Sequence, residues 1–297
     1  MKIDAIVTIP PYADFIGEVA AHPLVSGLRL NTVMPLRESH TEVLQRLSRF
    51  GKPVWIDLKG RQLRVVQTAI PPFTEVLLSH SIRVPTPVDA FFSDGNEAAR
   101  ILAVDGKRII LEDSPHRLIG PGESVNIIHP QLEIEGTLTE TDLSYLKAMR
   151  STGLCKVMLS FVESPADIME LKSILPDAEI LLKIESLKGV SFARKHKNSL
   201  GRLMAARGDL YVEVVRPHRI VGALRDIIQA DPRAIVASRI FDSLAASPIP
   251  YAADIGDVAF LLSIGYRTFM LGDTTCMRRE TVLEALNLLD SVGRQFI

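Results

Sequence analysis

The sequence predicts an α/β protein built as a (β/α)8 TIM barrel with a small β-rich insertion after its third strand. Three observations predict it: eight short apolar runs, helical periodicity between them, and a single interruption dense in turn residues. The runs are Ala5–Ile9, Gly27–Asn31, Pro53–Leu58, Lys156–Ser160, Ile180–Ile184, Leu203–Ala206, Ala234–Ser238 and Thr268–Leu271. Strands covered on both faces read as continuous apolar runs, and alternation with helices implies parallel pairing. Eight such units close a barrel, and 297 residues with 47% hydrophobic side chains suffice for one.

The helical stretches carry their own punctuation. Thr139 with Asp142 has capping-box spacing, followed by Leu143, Leu146, Met149 and Arg150 at helical intervals. Ser164 before Pro165 fits a cap and first helical position, with Ile168, Leu171 and Leu175 on one stripe. Leu283, Leu286, Leu289 and Val292 form a similar stripe; all of these are read as core.

The alternation fails between residues 66 and 133, which leaves 1–65 and 134–297 for the barrel. Turn signals crowd this region (Pro71-Pro72, Pro85, Pro87, Asp94-Gly95, Asp105-Gly106 and Gly120-Pro121-Gly122) around short apolar stretches such as Val76–Leu78 and Arg108–Leu111. Loops after barrel strands build active sites, so a lid or clamp is the expected role of the insertion.

Composition excludes several functions. Thirty-four basic against 35 acidic residues give a formal net charge of -1, too little field to hold a nucleic acid. Cys155 and Cys276 form no CxxC pair, which argues against a disulfide framework or structural zinc. The N-terminal MKIDAIVTIPPYADF lacks the apolar core of a signal peptide, and Val258–Ile264 is far shorter than the ~20 residues of a membrane span. A cytoplasmic protein without membrane contact is expected. The seven histidines make no HExxH, Gly120-x-Gly122 lacks a third glycine, no P-loop occurs, and Ser238 has no histidine near it in sequence.

The charged residues at strand ends carry the chemistry. Lys183 and Glu185 stand at i and i+2 of the fifth strand and project to one side, toward the barrel mouth. Charges in a buried strand are paired or metal-bound, so a plain ion pair is the alternative. After the sixth strand, Ala206-Arg207-Gly208-Asp209 brings a flexible backbone and a second carboxylate, and Glu185 with Asp209 suits magnesium or manganese. The alternative for Asp209 is a helix cap. Asp57, Lys59, Gly60, Arg61 and Arg64 close the third strand, and Arg29 with Asn31 the second, in patterns suited to phosphate or carboxylate or, alternatively, to a solvated face.

Taken together these segments resemble the pyruvate kinase family, in order along nearly the whole chain. The shared elements are Arg29/Asn31, Asp57/Lys59/Gly60/Arg64, Lys183/Ile184/Glu185, Ala206 to Leu210, Ala237-Ser238, Asp257-Val258-Ala259 and Met270-Leu271. The resemblance implies that Glu185 and Asp209 bind the metal, that Lys183 stabilises charge on a phosphoryl group or enolate, and that Arg29 and Arg64 contact phosphate. It implies that Ser238 replaces a threonine near the enolate carbon, and that amides around Gly208 and Asp209 hold the substrate carboxylate. It also implies a lid after strand three.

The departures from the family fall on one side. Val33 and Met34 replace its Ser-His, so the monovalent-cation site is expected to be lost; Gln62 stands where the family has a glutamate, and Arg61, next to it, is a candidate to supply the missing positive charge directly. Near Gly122–Asn126 the lid lacks the family's lysine, strand eight ends Gly272-Asp273-Thr274-Thr275, and the regulatory C-terminal domain is expected to be absent. The expected function is metal-dependent phosphoryl transfer with phosphoenolpyruvate or pyruvate, a nucleoside diphosphate being the candidate co-substrate and a homo-oligomer the candidate assembly. The alternatives are a nucleotide-independent decarboxylase, lyase or aldolase on oxaloacetate or a related keto acid, and a non-catalytic metabolite-binding barrel.

Overall fold

The computed structural model describes residues 2–68 and 74–296; the Pro71-Pro72 turn signal lies outside them. Eight parallel strands form a closed barrel: Asp4–Thr8, Val25–Asn31, Val54–Leu58, Lys156–Leu159, Glu179–Ile184, Arg202–Ala206, Ile235–Ala237 and Thr268–Leu271. They pair in chain order, and the first closes on the eighth with Asp4 opposite Thr268. The (β/α)8 class read from the sequence is therefore the one observed. Strand limits shift by at most two residues, and Ser160 and Ser238 fall just beyond their strands.

Two apolar layers hold the barrel. Inward-facing side chains, among them Ile6, Trp55, Met158, Leu181, Met204 and Met270, fill the lumen. Outward-facing ones, such as Val7, Leu28, Ile56, Leu182, Val236 and Leu271, pack beneath the helices. The alternation along each strand separates these layers, which is why the runs look uniformly apolar in sequence.

The helix starts follow local chemistry. Thr139 Oγ1 accepts from Asp142 N (3.1 Å) while the Asp142 carboxylate accepts from Thr139 N (3.0 Å), opening Glu140–Thr152. The fully buried Asp142 also accepts from Lys59 N (2.9 Å) and Gly60 N (3.1 Å), so one cap fixes the turn that follows the third strand. Gly60 is required there: its φ is +50°, and a Cβ would lie 2.7 Å from the Ser160 carbonyl oxygen. Pro165 begins the helix Pro165–Ile174, with the Asp167 carboxylate accepting from Ser164 N at 2.8 Å. In Arg279–Gly293, Leu286 and Leu289 are fully buried while Leu283 and Val292 flank the core.

Between the third and fourth barrel strands the chain forms a six-stranded antiparallel sheet from Val65–Thr68, Glu75–Leu78, Val88–Phe92, Glu97–Asp105, Arg108–Leu111 and Val125–Ile127. Ile82–Arg83 and Glu133–Ile134 pair separately. The sheet has its own apolar cluster, including Val76, Leu78, Phe92, Ile101 and Ile109. Its longest strand, Glu97–Asp105, is only intermittently buried and begins Glu-Ala-Ala-Arg, which hides it from an apolar-run reading. Among the described residues no helix is long and apolar enough to cross a membrane.

Candidate active site

A cavity of about 490 Å³ opens where the C-terminal ends of the barrel strands meet the second sheet. Of the residues singled out from sequence, Arg29, Asn31, Lys59, Arg64, Lys183, Glu185, Gly208, Asp209 and Ser238 line it. Asp57, Ala206 and Arg207 stand behind the wall.

Asp57, on the third strand, is fully buried and forms the hub of the cation network. It accepts from Arg29 Nε (2.9 Å) and Lys183 Nζ (3.2 Å), with Lys59 Nζ 3.6 Å away. Burial alone would raise its pKa, but Lys183, Lys59 and Arg29 outweigh that and hold the carboxyl far below its ordinary range. Arg29 also donates to Thr8 Oγ1 (2.8 Å) and to Asp273 (3.3 Å). Burial opposes its charge, yet Asp273 and Asp57 raise its pKa above the usual arginine value.

The two lysines differ in their protonation. Burial opposes the charge on Lys183, but Asp57 and Glu185 more than compensate, so it stays protonated and donates to Ser160 Oγ (2.8 Å). Lys59 is lowered to about 7 because burial exceeds the pull of Asp57, with Arg64, Lys183 and Arg29 adding repulsion. Its Nζ lies 2.7 Å from Asn31 Oδ1, and Asn31 Nδ2 donates to Asp273 (2.9 Å).

Lys183 Nζ stands 3.1 Å from Glu185 Oε1, so the i, i+2 pair does project to one side. Glu185 Oε2 accepts from Phe161 N (2.9 Å). Asp209 belongs to the short helix Arg207–Glu213, and its carboxylate caps nothing: it accepts from Gln62 Nε2 (2.6 Å) and Asn126 Nδ2 (3.2 Å). Burial first, then the Glu185 and Asp94 carboxylates, push Asp209 above the usual carboxylate range against Arg64 and Lys183. Two buried acids that repel one another fit a divalent cation, whose charge reverses that repulsion. No group of three or more His, Cys, Asp or Glu that could enclose a metal occurs among the described residues. A site of two carboxylates is of the kind that magnesium or manganese would use, keeping water or substrate oxygens in the remaining positions.

Arg207 points away from the cavity. Its guanidinium meets Asp257 (2.8 and 2.7 Å) and donates to the carbonyls of Ser238 (2.7 Å) and Arg239 (2.6 Å). These bonds hold the loop after the seventh strand, where Ser238, Arg239 and Phe241 all have positive φ. Gly208 keeps the opposite edge low: a Cβ there would come within 3.7 Å of Ser238 Oγ and 3.9 Å of Asp94 Oδ2. Arg61 does not supply a positive charge to the cavity, because it reaches Asp167 (3.1 Å) and the Ile134 carbonyl (2.9 Å) and is not part of the lining.

Several participants were not picked out from sequence. Asp273 closes the network above Arg29, and its place at the end of the eighth strand was the available signal. Asn126, from the second sheet, bridges Asp209 and Glu213 Oε1 (3.0 Å). Burial pushes Glu213 up to about 8 despite that hydrogen bond, with Asp209 acting in the same direction. Asp94, at the turn between Val88–Phe92 and Glu97–Asp105, leans over Gly208. No local pattern links these residues: Asp273 meets Arg29 only when the barrel closes, and Asn126 and Asp94 reach the site only when the sheet packs on the barrel.

A family model described as pyruvate kinase, barrel domain, matches residues 78–278. The pyruvate kinase of Methanocaldococcus jannaschii is 25% identical over 312 aligned residues, covering 99% of this chain and 69% of the relative. That of Borreliella burgdorferi is 23% identical, covering 91% and 63%, and one from Agrobacterium vitis is 30% identical, covering 69% and 43%. The chain thus spans two thirds or less of the length of most of these relatives.

Proposed function

The chain belongs to the pyruvate kinase family, and from that premise we propose that it uses a divalent cation, magnesium or manganese, to act on phosphoenolpyruvate or a pyruvate enolate, with phosphoryl transfer the first reading. The observation that carries this is the convergence of Lys183, Glu185 and Asp209 on one cavity at the strand ends. Glu185 and Asp209 would hold the cation, which supplies charge neutralisation at the enol and phosphoryl oxygens.

The protein's own groups do the rest. Lys183, kept protonated by Asp57 and Glu185, is placed to stabilise negative charge on the phosphoryl group or enolate oxygen. The amides at Gly208 and Asp209 open the short helix and suit a carboxylate, with Ala206 and Arg207 fixing that turn. Ser238 faces Gly208 across the cavity, near the enol carbon. Arg64 offers a guanidinium to phosphate, while the contacts among Arg29, Asn31, Lys59 and Asp57 hold that wall rigid. The second sheet acts as a lid that excludes water.

One observation favours a second reading, a nucleotide-independent lyase, aldolase or decarboxylase on a keto acid such as oxaloacetate. Among the described residues, the second sheet lines the cavity with Ser93, Asp94, Asn96, Glu123 and Ser124, and with no cation for a polyphosphate. Pyruvate formation with magnesium decides between them, measured from phosphoenolpyruvate with nucleoside diphosphates and from oxaloacetate alone. Activity in either assay is expected to drop at least ~100-fold in Glu185→Gln. Activity that survives this change rejects the proposed site.

A further inference from the structure

We propose that Arg239 is a specificity-determining residue that binds a second anionic group, a carboxylate on the third carbon of the enolate-forming acid. The preferred ligand is then a keto dicarboxylate of four or more carbons rather than a three-carbon acid. This rests on the enolate reading of the cavity given above.

Arg239 lines the same cavity as Lys183, Glu185 and Ser238. The other cations there are engaged: Arg29 is shared between Asp57 and Asp273, Lys183 between Asp57 and Glu185, Lys59 lies beside Asp57, and Arg64, without a carboxylate partner, donates to the Gly122 carbonyl (2.7 Å) and to Gln62 Oε1. Among the described residues, the Arg239 guanidinium makes no ion pair. Asp242, three positions along the loop, is instead within 3.3 Å of Thr275 Oγ1. A guanidinium that faces a cavity without a carboxylate in contact attracts an anion, and its planar fork matches a carboxylate.

The arginine is also held in place. Its guanidinium lies 4.5 Å from the ring centroid of Tyr211, in cation–π range, which restrains a side chain that is otherwise exposed. Its backbone sits at φ 54°, and Arg207, anchored by Asp257, grips its carbonyl and that of Ser238. Such a conformation in a non-glycine residue persists because surrounding bonds impose it.

Position indicates which group is bound. On the enolate reading given above, the first carboxylate lies at the Gly208 edge and the third carbon toward Ser238, whose Oγ is 3.7 Å from where a Gly208 Cβ would stand. Arg239 is the next residue of that loop and lines the same cavity, within reach of a group carried on that carbon.

Pyruvate and oxaloacetate differ by this one carboxylate. Magnesium-loaded protein is titrated with each, with oxalate, and with a nucleoside diphosphate, and binding is followed by NMR chemical shifts. Wild type is expected to bind oxaloacetate at least about tenfold tighter than pyruvate, as one charge-assisted contact allows. Arg239→Gln should erase that preference while shifting pyruvate and oxalate less than about twofold, and Arg239→Lys should recover part of it. Tyr211→Leu should lose part of it and Tyr211→Phe should not. Equal weakening of both keto acids, or no change in oxaloacetate affinity, overturns the proposal. So does a loss confined to the nucleoside diphosphate, which would assign Arg239 to phosphate. If wild type does not bind oxalate, the enolate reading falls and takes this inference with it; if oxalate and pyruvate bind but oxaloacetate gains nothing, this inference alone falls.

Discussion

The two walls of the cavity are built on different principles. The barrel wall is a set of strand ends whose charges, Arg29, Asp57, Lys59, Lys183 and Glu185, are buried and paired with one another. The facing wall comes from turns of the second sheet and carries hydroxyls, an amide and acids. Its ion pair of Arg117 with Glu123 at 2.6 Å is partly exposed and neutralises itself. The difference shows that preorganised charge resides on the rigid barrel, while the sheet contributes closure and polar contacts.

The largest expected effect comes from breaking the barrel wall at its hub. Asp57→Asn leaves Arg29, Lys59 and Lys183 around a neutral amide in a buried site, at a cost of about 3–5 kcal/mol. Chemical denaturation measures it; a loss below 1 kcal/mol would mean that the hub is not structural and that the contrast between walls is overstated.

A smaller effect is expected where the walls join. Glu213 has its pKa raised from 4.5 to about 8, so folding retains a proton that the unfolded chain releases. Its contribution is full below pH 4.5 and is lost as pH rises through about 8. With a chelator present, Glu213→Gln, which stays neutral and can still accept from Asn126, should therefore be more stable than wild type above pH 8, by on the order of 2 kcal/mol. Thermal unfolding at pH 5 and pH 9 checks this: the advantage should appear only at pH 9, and an equal shift at both values contradicts the assignment.

The smallest effect is expected on the sheet. Arg117→Ala removes a half-exposed ion pair and should cost below about 1 kcal/mol, with the loss shrinking further in high salt. A loss comparable to that of Asp57→Asn would show that the sheet too relies on buried charge, and the comparison between walls would fail.

The sequence by itself determined the barrel and the barrel half of the cavity. Buried parallel strands must be apolar throughout, so a charged residue at a strand end stands out, as Lys183, Glu185 and Asp57 do, and strand parity orients it. The insertion was legible from its turns, yet the strand Glu97–Asp105 was not, because a half-exposed sheet tolerates polar and small residues. Tertiary structure alone decided that Asp273 shares Arg29 with Asp57, that Asn126 joins Asp209 to Glu213, and that Arg207 turns away to hold Arg239. Each of these contacts joins segments far apart in the chain. Pairing at such distances depends on how the barrel closes and how the sheet packs on it, which no local periodicity or spacing encodes.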